Sequence, residues 1–182
     1  MSRKYMNDRW CVRCSREDPT PYLVKKIDLL KRGETWAEEV VMDIGCGNGR
    51  NSNYLMEQGF HNISGYDMAG GVGEKLVLGK EAFPTGMSTV NIILANYVLM
   101  FLDTWEIAYT MGEIDRVARD DCLLMVELYP AKDSNYPGAE EIAGLQKELI
   151  SLMKRKDWGV EHEVKERFIM RKESYGYYQG VS

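Results

Sequence analysis

Apolar positions along the chain fall into two alternating patterns, one typical of buried strands and one typical of helices. Short runs rich in β-branched and aliphatic residues predict strands, whereas apolar residues three and four positions apart predict helices. The predicted strands cover 39–45, 62–67, 74–79, 90–96 and 121–130. The predicted helices cover 21–32, 49–58, 104–118 and 139–156. Strands and helices that follow one another in this way are typical of an α/β protein.

The C-terminal part predicts a different local structure. The segments WGVEHEV and RFIMRKE, within 158–173, alternate apolar with polar residues like the two strands of a hairpin. Buried strands that alternate with helices favour a doubly wound sheet, most of it parallel. We predict one domain over 21–175 and a tail at 176–182. Residues 1–20 are expected either to fold over a ligand-binding site as a lid or to be a frayed terminus.

Local residue types predict where three helices begin or end. Thr20 is suited to cap the first helix, and Gly59 is placed to end the second. Asp103 and Glu106 have the spacing of a capping box. The third helix is therefore expected to start immediately after Asp103.

Composition restricts the classes of function. The 182 residues are 45% hydrophobic, which suffices for one packed core. The formal net charge is −5 and no Lys/Arg run exceeds three residues, so nucleic acid is a disfavoured partner. No apolar stretch approaches the roughly 20 residues that span a bilayer, and the N-terminus has no apolar region like that of a secretory signal. We therefore expect a cytoplasmic protein without membrane contact.

The cysteines and histidines do not suggest a metal site. Cys11 and Cys14 form a C-x-x-C pair, but zinc requires four ligands, and the other two cysteines lie in a glycine-rich turn and a buried strand. His61 and His162 are expected at the surface. We predict free thiols and no bound metal; the alternative is that Cys11 and Cys14 are half of a zinc site completed through dimerisation.

The segment VVMDIGCGNGRNSNYL, residues 40–55, predicts a ligand site. It passes from a buried strand through glycines at 45, 47 and 49 into a helix, at the sheet edge where doubly wound proteins bind their ligands. A dinucleotide fingerprint would need glycine at position 50, where this chain has Arg50. Two alternative interpretations of this segment remain: that it binds NAD, and that it is a tight strand–helix turn without a ligand.

Two acidic residues indicate the type of ligand. Asp43 ends the first strand, where a carboxylate suits the sulfonium and ammonium groups of S-adenosylmethionine better than a pyrophosphate. Asp67 ends the second strand 18 residues after Gly49, where a carboxylate can accept hydrogen bonds from both ribose hydroxyls. The two acids together favour S-adenosylmethionine.

The same residues carry a resemblance to a known family. DIGCGNGR, GYD and NIILANYVLMFL resemble motif I, the acid after it and motif IV of class I S-adenosylmethionine-dependent methyltransferases. The similarity is greatest to the tellurite-resistance (TehB-like) type, whose segments also read GCGNGRNS and end in LMFL, and it covers roughly residues 38–130. It implies a Rossmann-like sheet of seven strands with an antiparallel C-terminal hairpin.

The resemblance also implies the positions of the cofactor contacts. Residues expected around the methionine part are Asp43, Gly45, Cys46, Gly47, Asn51, Ala95, Asn96 and Tyr97. Asp67 and Met68 are expected at the ribose and adenine. Family members usually place an acid after the third strand; here that position is Lys80, and Glu81 or a backbone carbonyl is expected to substitute. A second departure is that only MAGGVG separates strands two and three, so the helix usual there is expected to be missing.

We therefore expect a methyltransferase that transfers a methyl group to a small molecule by direct in-line displacement and releases S-adenosylhomocysteine. Tyr97, Glu127 and Tyr129 are the candidate catalytic residues, because Tyr97 follows the fourth strand and the other two end the fifth strand on the cofactor side. Two alternatives remain: a non-catalytic S-adenosylmethionine-binding module or partner subunit, and an enzyme that methylates nucleic acid or protein. For nucleic acid, the NYV at 96–98 matches Asn-Pro-Pro-Tyr only weakly, because both prolines are absent.

Overall fold

A single seven-stranded sheet organises the computed structural model, which describes residues 17–70, 72–128 and 139–174. The strands are β1 Val40–Ile44, β2 Asn62–Asp67, β3 Glu74–Lys75, β4 Val90–Asn96, β5 Ala118–Glu127, β6 Trp158–Val164 and β7 Arg167–Lys172. The α-helices are α1 Pro21–Leu30, α2 Arg50–Glu57, α3 Thr104–Val117 and α4 Ala139–Lys154. Short 3-10 helices occur at Trp36–Glu38 and Leu99–Phe101. The predicted segment 1–20, apart from its last four residues, and the tail 176–182 lie outside the described residues.

The strand order confirms the predicted topology. The order across the sheet is β3-β2-β1-β4-β5-β7-β6, and the first five strands are parallel. β7 lies antiparallel between β5 and β6 and forms the expected C-terminal hairpin with β6. The chain winds outward from β1 in one direction through β2 and β3, and in the other from β4 onward. The carboxyl ends of β1 and β4 therefore border the crevice where the winding reverses.

Alternating side chains divide the core into two layers. The face of the sheet packed against α1 and α2 is apolar in four strands, and its buried residues are Val41, Ile92, Leu94, Leu123, Met125 and Ile169. The opposite face packs against α3 and α4 through Ile93, Ala95, Leu124, Val126, Phe168 and Met170. A sheet buried on both faces explains why its central strands are apolar almost throughout.

Two strands, β3 and β5, differ from the prediction by more than one residue at an end. β3 is limited to Glu74–Lys75, so the prediction of a strand over 74–79 is wrong in extent. Leu76 and Leu78 are buried in the core beneath a turn at Gly79, which explains the apolar pattern without a strand. β5 begins at Ala118, directly after α3, and its register against β4 shifts before the main ladder. The predicted end of that strand, at 129 and 130, lies outside the described residues.

The described part of the connection between β2 and β3 contains no helix, as predicted. Among residues 68–70 and 72–73 the structure shows turns and bends only. Six residues are too few for a helical crossover between parallel strands. The connection therefore stays close to the carboxyl ends of β1 and β2.

The predicted helix ends are confirmed with one difference. Asp103 and Glu106 form the reciprocal capping box of α3, with N–H to carboxylate distances of 2.8 and 3.1 Å. Gly59 follows the end of α2 with a φ of 99°. Thr20 occupies the N-cap position of α1, but its side chain does not cap the helix. Among the α-helices of the described ranges, none is both long and apolar enough to cross a bilayer.

Candidate active site

The glycine turn joins β1 to α2 in a left-handed backbone conformation. Gly45, Gly47 and Gly49 have φ values of 72°, 56° and 77°. Residues with a Cβ rarely adopt this region, so glycine is favoured at each position. Three such residues within five positions reverse the chain tightly at the strand end.

The amides of this turn are largely used within the protein. Gly45 and Cys46 both donate to the Tyr66 carbonyl at the end of β2, at 2.7 and 3.1 Å. The Gly47 amide donates to Asp67 Oδ2 at 3.0 Å. A phosphate-binding loop needs free amides that converge on an anion. Because these amides are engaged within the protein, the turn is poorly suited to bind the pyrophosphate of a dinucleotide.

Two neighbouring loops pack directly on the turn. A Cβ built on Gly45 would lie 2.5 Å from Val98 Cβ, in the loop after β4. One built on Gly73 would lie 2.5 Å from Cys46 Sγ. These glycines therefore allow close packing of the chain on itself, whether or not a ligand is bound. Burial raises the pKa of the Cys46 thiol to about 12, which favours a packing role over a nucleophilic one.

Asp43 is a buried carboxylate at the end of β1. Its side chain is 2% exposed, and Oδ2 accepts a hydrogen bond from Ser52 Oγ at 2.7 Å. Burial raises the pKa of Asp43 to about 6, against the opposing effects of the Ser52 hydrogen bond and the Arg50 charge. A cationic ligand next to this side chain would favour its ionised form.

Asp67 lies across the turn from Asp43 and is held by two amides. Oδ2 accepts from Gly47 at 3.0 Å, and Oδ1 accepts from Ala69 at 2.8 Å. An ionised carboxylate has about four acceptor positions, so two hydrogen bonds leave room for ligand hydroxyls. The Asp67 charge is also close enough to contribute to the raised pKa of Asp43.

Polar residues continue the apolar rows on the α1 and α2 face of the sheet. Asp43 follows Val41 two positions along β1, and Asn96 follows Leu94 in β4. In β5 and β7 the corresponding residues are Glu127 and Arg167, and the register pairs Asn96 with Glu127 and Glu127 with Arg167. The carboxyl edge of this face is therefore a row of buried or half-buried polar groups.

Thr20 ties the segment before α1 to this row. It is fully buried, and its amide donates to Asn51 Oδ1 at 2.9 Å. Its hydroxyl accepts from Asn96 Nδ2 at 3.4 Å. Asn96 Oδ1 has no hydrogen-bond partner among the residues that the structure describes.

Tyr97 and Glu127 are joined by two hydrogen bonds. The Tyr97 hydroxyl donates to Glu127 Oε2 at 3.1 Å, and the Tyr97 amide donates to the Glu127 carbonyl at 2.7 Å. Tyr97 has a φ of 59°, an uncommon conformation for a residue with a side chain. Glu127 is fully buried, and Arg167 Nε lies 3.2 Å from its Oε2.

The fold and this arrangement can be compared with known proteins. No protein-family model and no curated protein matches the sequence. A TehB-like S-adenosylmethionine-dependent methyltransferase from Corynebacterium glutamicum superposes with a TM-score of 0.64 at 15% identity, over 94% of this chain and 97% of that one. The chain has the fold of S-adenosylmethionine-dependent methyltransferases.

Other proteins with the methyltransferase fold are similar to a comparable degree. A methyltransferase from Methanosarcina mazei gives a TM-score of 0.62 at 15% identity, over 86% of this chain and 99% of that one. The 1,6-didemethyltoxoflavin N1-methyltransferase of Burkholderia thailandensis, crystallised with 1,6-didemethyltoxoflavin and S-adenosylhomocysteine, gives 0.58 at 14% identity, over 75% and 72%. At these identities the similarity extends to the fold.

Within the methyltransferase fold, the predicted adenine contacts come from two loops: Met68 directly follows β2, and Lys80 and Glu81 lie in the loop after β3. Met68 is half-buried, whereas Lys80 and Glu81 are exposed. The Glu81 carboxylate accepts from the Val77 amide at 2.7 Å and so closes a local turn. A contact between either residue and adenine remains a prediction.

The structure brings most of the predicted site residues to one edge of the sheet. Residues at or just beyond the carboxyl ends of β1, β2, β4 and β5 are Asp43, Gly45, Cys46, Gly47, Asp67, Met68, Ala95, Asn96, Tyr97 and Glu127. Asn51 lies in the first turn of α2. Tyr129, Cys11 and Cys14 lie outside the described residues. The described part of the chain contains no cluster of three His, Cys, Asp or Glu residues that could hold a metal ion.

Sequence reasoning did not find four residues near this edge. Arg50 lies with its guanidinium carbon 5.9 Å from the centre of the Tyr97 ring. Arg167 lies beside Glu127. The Tyr22 hydroxyl forms a hydrogen bond with His162 Nδ1 at 3.1 Å. His162 was expected at the surface, but it is half-buried. Alternation in RFIMRKE could have placed Arg167 on one face with Ile169, but no local pattern indicates Tyr22.

Proposed function

We propose that this protein is an S-adenosylmethionine-dependent methyltransferase that acts on a small-molecule acceptor. The observation that carries the proposal is the pair of buried carboxylates, Asp43 and Asp67, on either side of a glycine turn whose amides are engaged within the protein. This arrangement suits a cationic nucleoside without phosphate. The methyltransferase fold supports the same conclusion.

The residues present fit the cofactor. Asp43, Gly45, Cys46 and Gly47, together with Asn51 and Ala95 to Tyr97, would surround the methionine part. Asn96 Oδ1, which has no hydrogen-bond partner in the described part of the chain, is an acceptor suited to its ammonium group. Asp67 and Met68 would hold the ribose and the edge of the adenine, with Lys80 and Glu81 near the purine.

The cofactor supplies a methyl group already activated by a positive sulfur. The protein's task is then to align the acceptor with that methyl and to exclude water. Tyr97, Glu127 and Tyr129 are proposed as the residues on the acceptor side. Burial and the nearby Glu127 charge raise the pKa of Tyr97, so its hydroxyl stays protonated near neutral pH and can donate a hydrogen bond.

A small-molecule acceptor is supported by charge and by a structural neighbour. The net charge of −5 disfavours a polyanion. The Burkholderia thailandensis N1-methyltransferase was crystallised with 1,6-didemethyltoxoflavin. A cytoplasmic location is part of the same proposal.

Calorimetry with S-adenosylmethionine tests the cofactor. Asp67→Ala should weaken binding by roughly 1 to 3 kcal/mol, because the ribose hydroxyls lose their partner. Asp28→Ala, at an exposed position of α1, is the matched control and should bind like the wild type. Equal affinity of the Asp67 variant and the control would remove Asp67 from the site.

Turnover separates this proposal from the second candidate, a non-catalytic binding module. The second candidate is favoured by the short β3 and by the contact of Gly73 with Cys46, which leaves little space between the β2–β3 connection and the turn. Formation of S-adenosylhomocysteine with members of a metabolite panel supports the enzyme. Binding without turnover on metabolites, RNA, DNA and protein supports the module.

A further inference from the structure

Glu127 is the most deeply buried charged side chain at the carboxyl edge of the sheet. It is 0% exposed, yet Oε2 faces both the Tyr97 hydroxyl at 3.1 Å and Arg167 Nε at 3.2 Å. Oε1 has no hydrogen-bond partner within the described ranges. Burial raises the pKa of Glu127, while the Thr20 and Tyr97 hydroxyls and the charges of Arg167 and Arg50 oppose this rise.

Arg167 is itself held by a second layer of contacts. Its guanidinium carbon lies 5.8 Å from the centre of the Tyr22 ring, within range of a cation–π interaction. The Tyr22 hydroxyl and His162 Nδ1 lie 3.1 Å apart, which connects α1 to β6. Burial and the Glu127 charge raise the pKa of Tyr22 to about 12, so Tyr22 remains neutral. The position of Arg167 is thus supported from two elements besides its own strand.

This network is not the arrangement that stability alone would favour. A buried ion pair is often no more stabilising than well-packed apolar residues, and the strand residues that precede this polar row on the same sheet face are apolar. Arg167 Nε also lacks a partner in hydrogen-bond geometry, although it lies close to Glu127. Tyr97 adopts its strained φ of 59° while donating twice to Glu127. Strain and partly satisfied charges in one place are typical of functional sites.

We propose that Tyr97 and Glu127 form a proton-accepting pair, positioned by Arg167 and Tyr22, and that the methyl acceptor is therefore a neutral O–H or N–H nucleophile. The inference rests on the proposed methyltransferase function and narrows its substrate class. Tyr97 touches the acceptor, and Glu127 receives the proton. Arg167 and Tyr22 are positioning residues.

The proposed step balances in atoms and charge. The acceptor oxygen or nitrogen uses a lone pair to bond the methyl carbon, and the carbon–sulfur electron pair returns to sulfur to give a neutral thioether. The acceptor proton passes to the Tyr97 oxygen as the Tyr97 proton moves to Glu127 Oε2. Glu127 then loses that proton to solvent before the next turnover.

A carboxyl NMR titration tests the network without cofactor or acceptor. The protein is labelled with carbon-13 at glutamate carboxyls, and Glu127→Gln identifies the signal by its loss. Arg167→Met should raise the Glu127 midpoint by at least about one pH unit, because an opposite charge at this distance lowers a carboxyl pKa by about 1 to 3 units. Tyr97→Phe should raise it less, and Arg167→Lys should restore most of the wild-type value. A midpoint unchanged in both Arg167→Met and Tyr97→Phe would overturn the network.

Kinetics test the acceptor class. Phenol, aniline and thiophenol share one carbon skeleton and differ only in the nucleophilic group, which is O–H, N–H or S–H. Their aliphatic counterparts are tested in the same way. Glu127→Gln should lower kcat on the O–H or N–H acceptors about 100-fold or more, the usual range for general base catalysis, with the affinity for S-adenosylmethionine unchanged. Thiolates need no base and should react almost equally with both proteins. Glu148→Gln, an exposed acid on α4, is the matched control.

The outcomes separate the two proposals. A wild-type protein that binds no S-adenosylmethionine, or binds it and methylates nothing, refutes the methyltransferase function, and the inference about the acceptor falls with it. A wild type that methylates only thiols, or a Glu127→Gln variant with undiminished kcat on hydroxyls, overturns the inference alone.

Discussion

Replacing Asp43 by asparagine should make stability less sensitive to pH. The Asp43 pKa is about 6 in the folded protein against an ordinary value of 3.8. The folded state therefore binds this proton more tightly than the unfolded state does. Ionisation of Asp43 costs stability as the pH rises from about 4 towards 6, and the cost is fully present above the folded pKa.

The magnitude follows from the two pKa values. A shift of about two units corresponds to about 3 kcal/mol at 1.36 kcal/mol per unit. Between about pH 4.5 and about pH 8, the unfolding free energy of Asp43→Asn minus that of the wild type should rise by about 2 kcal/mol. The asparagine amide adds a constant cost if it lacks a partner, but that cost cancels in the comparison between the two pH values.

Urea unfolding at several pH values, extrapolated linearly to water, measures this difference. Asp28→Asn on the exposed face of α1 is the control and should show no such trend. The wild type should also bind S-adenosylmethionine more weakly as the pH falls below about 6, because the cation loses a charged partner. A stability difference that stays constant with pH would show that burial does not perturb Asp43, and would remove the electrostatic basis of the proposed site.

Three further substitutions test the surroundings of the site. Gly47→Val should abolish cofactor binding in calorimetry while circular dichroism still shows a folded domain, because the new side chain would enter the cofactor space; retained binding would contradict the proposed pose. Gly73→Ala should destabilise the protein by roughly 1 to 3 kcal/mol in urea, since its Cβ would lie 2.6 Å from the Gly65 carbonyl oxygen, and unchanged stability would show that the connection relaxes freely. Asp103→Ala should cost about 1 kcal/mol of stability through loss of the capping box and leave cofactor affinity intact; a loss of affinity would mean that α3 helps to shape the site.

Much of the fold was predictable because its causes are local. The capping box of Asp103 and Glu106, the stop at Gly59 and the alternation of the last hairpin depend on residues a few positions apart. The third strand was overestimated because Leu76 and Leu78 are apolar for burial in the core, which does not require sheet pairing. An apolar pattern reports burial and leaves the hydrogen-bonding partner undetermined.

The residues of the candidate site likewise fall into two groups, those that a local sequence pattern indicates and those that meet only through long-range packing. Asp43 and Asp67 were found because a carboxylate at the end of a buried strand is conspicuous in one sequence window. Arg167 was missed because its meeting with Glu127 depends on β7 lying next to β5, across about 40 residues of chain. Tyr22 and His162 meet only through the packing of α1 on the far edge of the sheet.

The strand order also has a consequence for how the chain is completed during synthesis. β7 is the last of the seven described strands in chain order, yet it occupies an interior place, and among those strands β6 pairs only with β7. Until β7 docks, the long edge of β5 stays open and Glu127 lacks its guanidinium. A nascent or truncated chain that stops short of Arg167 would therefore expose an unpaired strand edge and lack the guanidinium of the proposed site. Completion of the sheet and assembly of the proposed site depend on the same segment.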